Sequence, residues 1–295
     1  MAAIAIGSGE APRVRGVYVH ESGSPGAPAI LFVHGGGPSG PMWRDHMDRL
    51  APDFHCLAPD LPGFGRSNRL APISLSQTAD LIAEVIAARV PARRAHVVGL
   101  SYGGSVAFAL LDRHPEALDR VVIDGACVLP RWTNALILAA ITVVSPLVNT
   151  SLATSFLGRL GLRDLGLALR SATPRAFRRA WFEGYTAPLS RAEIEAVCPT
   201  LLVAGGREHA RESNAGLAGL MPHATARFVP GRGHAWFIGR RELHIRMVEA
   251  WLTGQELPGE LEPEPPSPRA VNRVLHELQR QANGDADDRP GWQPS

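Results

Sequence analysis

Val97-Val98-Gly99-Leu100-Ser101-Tyr102-Gly103-Gly104 is the stretch on which the reading of this chain turns. Residues 95–98 are apolar enough for a buried strand, and residues 105–111, rich in Ala and Leu, suit a helix. Between them the backbone must reverse sharply. Gly99 and Gly103 remove the two Cβ atoms that such a turn and a close helix–strand approach would crowd. The turn lifts the Ser101 hydroxyl to its tip. The Tyr102 N–H, at the start of the helix, faces the same spot.

The same grammar, a short apolar run that breaks into a Gly-rich turn, recurs on both sides of this stretch. Residues 29–33 run into His34-Gly35-Gly36-Gly37-Pro38-Ser39-Gly40, and residues 54–58 into Pro59-Asp60-Leu61-Pro62-Gly63-Phe64-Gly65-Arg66-Ser67. Residues 120–123 end at Asp124-Gly125, residues 200–204 at Gly205-Gly206-Arg207-Glu208-His209, and residues 225–229 at Pro230-Gly231-Arg232-Gly233-His234. Residues 13–20 read as an early strand. Helical patterns fall at 42–50, 76–89, 242–252 and 269–281. Alternating strands and helices predict an α/β fold with a mostly parallel sheet. From Pro130 to about residue 190 the strand rhythm stops. Helical stretches there carry Trp132, Phe156, Phe177, Trp181, Phe182 and Tyr185.

The Gly-x-Ser-x-Gly turn, the Gly loop before it and the Gly-x-Gly-His ending at His234 resemble the α/β-hydrolase family. The resemblance implies an α/β-hydrolase fold, a mostly parallel central sheet flanked by helices with an inserted helical cap. Core segments are expected at residues 1–129 and 191–254, with the cap at 130–190. Residues 255–295 read as a Pro/Glu-rich linker, a short helix and a disordered tail.

A serine hydroxyl needs a base to take its proton, and the base needs a carboxylate to orient it. In the family the order along the chain is Ser, acid, His. Here Ser101, Glu208 and His234 follow that order, each just past a strand. Asp124, past the preceding strand, is the alternative acid that some relatives use. The resemblance also makes 34–40 the oxyanion loop, with a donor amide at Gly35 or Gly36 and a second at Tyr102. His34 is expected to be structural, as is Asp60. His209 adjoins the proposed acid. Trp236, Trp181 and Phe182 are the expected substrate contacts.

The substrate expected is a small carboxylic ester or related acyl compound, cleaved through an acyl-enzyme. Residues 34–43 also resemble the meta-cleavage-product hydrolases, which split a C–C bond in vinylogous diketones. Against that family's pattern, Ser39-Gly40 replaces Gly-Ala and Asp45 stands in place of an Asn. A third reading is a non-catalytic binding module on the same fold. Reaction of Ser101 with a serine-directed phosphonate discriminates it from an enzyme.

Composition sets the outer bounds. At 295 residues with 45% hydrophobic side chains, the chain is long enough for one large domain with an insertion. A net charge of +2 suggests no nucleic-acid partner. All 30 side chains counted as Lys or Arg are Arg, so Schiff-base chemistry has no lysine to use. Cys56, Cys127 and Cys198 are scattered and odd in number, which gives neither a disulfide framework nor a zinc spacing. No metal or organic cofactor is implied. Residues 1–10 lack the features of a signal peptide, and residues 135–144, the most apolar run, are too short for a span. A cytoplasmic protein with a small-molecule substrate and no membrane partner is expected; the oligomeric state is left open.

Overall fold

The computed structural model describes residues 13–129, 132–159, 169–186, 189–196 and 198–282. Nine strands form one sheet in the order β1-β2-β4-β3-β5-β6-β7-β8-β9. They are β1 (Arg13–Val14), β2 (Val17–Ser22), β3 (Ala29–Val33), β4 (His55–Pro59), β5 (Ala95–Leu100), β6 (Leu118–Asp124), β7 (Thr200–Gly205), β8 (Ala224–Val229) and β9 (Glu262–Pro263). From β4 through β8 all neighbours are parallel; β1, β2 and β9 are the antiparallel additions.

Central strands are buried along their whole length, as a parallel sheet covered on both faces requires. Side-chain alternation divides them between two cores. Leu31, Val33, Val97, Val121, Ile123 and Leu202 face one way. Ile30, Phe32, Val98, Val122, Leu201 and Val203 face the other. The first face packs against α2 (Leu75–Arg89) and α3 (Tyr102–Arg113) through residues such as Ile82, Val85, Val106 and Leu110. The second packs against α1 (Arg44–Leu50) through Met47 and Leu50. Ser74 caps α2, in a reciprocal capping box with Gln77.

Between β6 and β7 the described chain holds four helices: α4 (Trp132–Val144), α5 (Ser151–Arg159), α6 (Pro174–Thr186) and α7 (Arg191–Glu195). Helix α4 and the 3-10 turn after it pack on α6, and α6 packs on α3. Helix α8 (Ala210–Leu217) follows β7, and α9 (Trp236–Gly239) with α10 (Arg241–Thr253) follow β8. Leu243, Met247, Val248 and Leu252 of α10 complete the second core.

The Pro/Glu-rich stretch differs from the expected linker. Glu262 and Pro263 pair with Phe228 and Arg227 as edge strand β9. Leu261 and Val274 are buried, so the segment is anchored at both ends by apolar contact. Helix α11 (Pro268–Ala282) lies on α8, with Val274 in the first core. The close approach uses Gly216, where a Cβ would sit 2.7 Å from the Ala270 carbonyl oxygen. The tail expected beyond it, at 283–295, lies outside the described residues.

Candidate active site

Five strands end at one place, and the loops leaving them build the site. In an open parallel sheet the carboxyl ends of the strands form the crevice where ligands gather. Ser101 leaves β5, Gly35 and Gly36 leave β3, Gly125 to Cys127 leave β6, Glu208 leaves β7 and His234 leaves β8.

Ser101 has φ 54° and ψ −116°, a conformation that L-residues rarely hold. Its surroundings enforce it. The Ser101 N–H donates to the Asp124 carbonyl at 2.7 Å, and the Ser101 carbonyl accepts from Gly104 at 2.8 Å. Gly99 and Gly103 permit the turn: a Cβ on Gly99 would collide with the Gly103 carbonyl, and one on Gly103 with the Val33 carbonyl. Tyr102 is the first residue of α3, so its N–H has no acceptor within the helix.

Ser101 Oγ stands 3.0 Å from His234 Nε2, and His234 Nδ1 stands 2.8 Å from Glu208 Oε1. The second Glu208 oxygen accepts the Gly205 N–H at 2.8 Å, which pins the carboxylate to the end of β7. The Glu208 side chain is 5% exposed and that of His234 46%, so the pair runs from the protein interior to an open edge. Burial is the strongest single influence on the His234 pKa and lowers it. The hydrogen bond and charge of Glu208, with a smaller pull from Asp124, outweigh it and leave the pKa above its ordinary value. The exposure of the ring agrees with that outcome, since partial solvation weakens the opposing effect of burial.

Asp124, the alternative acid, is committed elsewhere. It is 1% exposed, and its Oδ1 accepts the Trp236 indole N–H at 3.1 Å. Its Oδ2 lies 3.4 Å from His244 Nε2, at ion-pair distance without hydrogen-bond geometry. The His244 ring is in turn 2.8 Å from His46 Nε2.

The Gly loop is held from below and above. His34 Nε2 accepts the Leu61 N–H at 3.0 Å, so its Nδ1–H donates to the Gly35 carbonyl at 2.8 Å. Asp60 accepts from the backbone of Gly40 and Arg66 and from His20, tying the loops after β3 and β4 together. The Gly37 N–H is taken by the Gly35 carbonyl. From above, the Trp181 indole donates to the Gly36 carbonyl at 2.8 Å.

A cavity of about 230 Å³ opens over Ser101. Gly36, Ser101, Tyr102, Trp181, Glu208 and His234 line it. Two expected contacts do not. Trp236 is buried and its indole is bonded to Asp124, and Phe182 is not among the lining residues. Cys127, Tyr185, Arg207 and His209 line the cavity without having been singled out as substrate contacts. Position after β6 and β7 was the available signal for Cys127 and Arg207. Tyr185 lies one helical turn beyond Trp181 and stacks on it, ring centroids 5.9 Å apart. Among the described residues no cluster of His, Cys, Asp and Glu is arranged to hold a metal ion.

Residues 28–240 match the family model described as alpha/beta hydrolase fold. The chain is 27% identical over 249 residues to a pimeloyl-[acyl-carrier protein] methyl ester esterase of Chromobacterium violaceum, covering 77% of this chain and 95% of the relative. It is 37% identical over 113 residues to a 2-hydroxymuconate semialdehyde hydrolase of Pseudomonas sp. (strain CF600), covering 37% and 39%. A thermophilic esterase from Thermogutta terrifontis superposes with a TM-score of 0.65 at 20% identity, covering 81% of this chain and 93% of that one.

Proposed function

The chain belongs to the alpha/beta hydrolase family, and on that premise we propose that it cleaves a small-molecule carboxylic ester, or a related acyl compound, through an acyl-enzyme on Ser101. The observation that carries this reading is the continuous path Glu208 Oε1–His234 Nδ1 and His234 Nε2–Ser101 Oγ, at 2.8 and 3.0 Å.

Ser101 Oγ attacks the substrate carbonyl carbon while its proton passes to His234 Nε2. Glu208 accepts the Nδ1–H, holds the ring in the tautomer whose Nε2 is free, and stabilises the imidazolium. Charge develops on the carbonyl oxygen beside the Tyr102 N–H and the Gly35–Gly36 loop, whose backbone N–H groups are the donors in this reading. His234 returns the proton to the leaving alcohol. Water, deprotonated by His234, then attacks the acyl carbon and releases the acid and free Ser101. Helix α6 roofs the reaction through Trp181 and acts as the cap over the Gly loop.

A C–C bond hydrolase is the second reading, favoured by the 37% identical segment shared with the semialdehyde hydrolase. Asp45 weighs against it, because that side chain pairs with Arg241 on the surface and not with the site. Turnover of short p-nitrophenyl esters, abolished in Ser101→Ala, supports the ester reading. Labelling of Ser101 by a phosphonate without turnover of any ester supports the C–C reading. Absence of both refutes a catalytic site.

A further inference from the structure

The helical insertion has an outer surface unlike the rest of the molecule. Among the described residues, six of the eight large hydrophobic side chains left exposed lie on α4, α5 and the turn between them. They are Leu136, Val143, Val144, Leu147, Leu152 and Phe156, with Val143 76% and Phe156 61% exposed. Leu136, Val143 and Leu147 recur at helical spacing, with the exposed Ala139 and Ala140 between them. The segment is not simply unpacked: Leu138, Ser145 and Val148 are buried. An apolar stripe has thus been placed deliberately on the outside of a folded element, where monomeric soluble proteins rarely leave one.

Charge indicates what covers it. Residues 132–158 hold no Asp, Glu, Arg, Lys or His, and Arg131 and Arg159 bracket the run. Residues 130–190 contain seven arginines against two acids, Asp164 and Glu183, a net of +5; since the whole chain is +2, the remainder is −3. Two copies joined through this insertion would oppose segments of like net charge. An anionic lipid headgroup layer would meet the same cations with opposite charge and the same stripe with hydrocarbon. Arginine suits the boundary, since its stem can lie in the apolar zone while the guanidinium reaches the headgroups. No helix among the described residues is long and apolar enough to cross a membrane, so the contact is with a surface.

We propose that the α4–α5 segment docks this protein on an anionic lipid surface, with its apolar side chains in the interfacial zone. The placement bears on the site. Helix α4 and the following turn pack on α6, and α6 contributes Trp181 and Tyr185 to the cavity lining. The docking surface is therefore the outside of the same insertion whose inside roofs Ser101, and lipophilic esters dissolved in the layer are the substrates it would bring nearest. That last point rests on the ester reading above; the docking itself does not, and its test reads no activity.

Full-length protein is sedimented with vesicles of phosphatidylcholine alone and of phosphatidylcholine mixed with phosphatidylglycerol. The bound fraction should rise about tenfold or more on the anionic vesicles and fall again in about 0.5 M salt. Val143→Glu combined with Leu152→Glu and Phe156→Glu, all at exposed positions, should abolish binding while the thermal unfolding midpoint stays unchanged. A second variant, Arg159→Gln with Arg175→Gln, keeps the apolar stripe and should lose only the preference for anionic lipid. No binding to either vesicle overturns the proposal. So does a dimer in light scattering that the triple Glu variant converts to monomer, which would assign the stripe to a second copy.

Discussion

Two carboxylate–histidine chains lie side by side at the end of this sheet, and they do different things. In one, Glu208 meets His234 and His234 meets the Ser101 hydroxyl at the mouth of a cavity. In the other, Asp124 faces His244 and His244 meets His46, and all three are sealed in the core. The residue types are nearly the same; the third member and its exposure differ. An imidazole that ends on a half-open serine can pass a proton to substrate. An imidazole that ends on a second buried imidazole has nowhere to send one. Burial, reinforced by the charges of His244 and Arg241, holds the His46 pKa well below its ordinary value and keeps that ring neutral. The buried chain still serves the open one. Asp124 accepts the Ser101 N–H through its carbonyl and the Trp236 indole through its carboxylate, and Trp236 lies two residues beyond His234.

Substitutions along the two chains should separate them by orders of magnitude. Ser101→Ala or His234→Ala should lower ester hydrolysis by about 10⁴-fold or more with the fold intact. Steady-state kinetics on purified variants checks this, and retention of a tenth of the activity would break the comparison at its root. Next in size, Glu208→Ala should cost about 10²–10⁴-fold in kcat, whereas Asp124→Asn should cost less than about tenfold. If the two losses are reversed, the acid assignment moves to Asp124.

Stability should rank the chains the other way. Asp124→Ala strands the Trp236 N–H and His244 in the core and should lower unfolding stability by about 2–4 kcal/mol in urea titration. Glu208→Ala should cost less, about 1 kcal/mol, since the half-exposed His234 that it leaves can turn to water. Equal losses would mean that the open chain is as structural as the buried one.

The smallest effect is in the pH profile. The base works only when neutral, and Glu208 and Asp124 raise the His234 pKa, so kcat/KM should rise through an apparent pKa above 6.5. Asp124→Asn removes one of the negative charges that favour imidazolium, so the acidic limb should move to lower pH. A limb that does not move would limit Asp124 to packing.

Much of this was legible in the chain. Ser101, His234 and the Gly loop could be read because each obeys a short-range rule. A strained turn needs glycines at fixed offsets, and a loop that offers its amides needs to lack side chains. The strands were legible because burial on both faces demands continuous apolar runs. Trp236 was misread for the opposite reason. Its distance from His234 in sequence suggested the site, but its indole needed a buried acceptor and found Asp124.

Short-range rules in the chain therefore account for the elbow at Ser101, the order of strands and helices, and the two carboxylates at strand ends. Which carboxylate stands on His234 was decided only by tertiary structure. Glu208 and Asp124 leave adjacent parallel strands, and a few ångströms of register set one against the imidazole and the other against Trp236 and His244. Tertiary structure alone also turned the Pro/Glu-rich stretch into an edge strand and set the apolar side chains of α4 and α5 outward. Those outcomes depend on partners distant in the chain, and no window of sequence contains them.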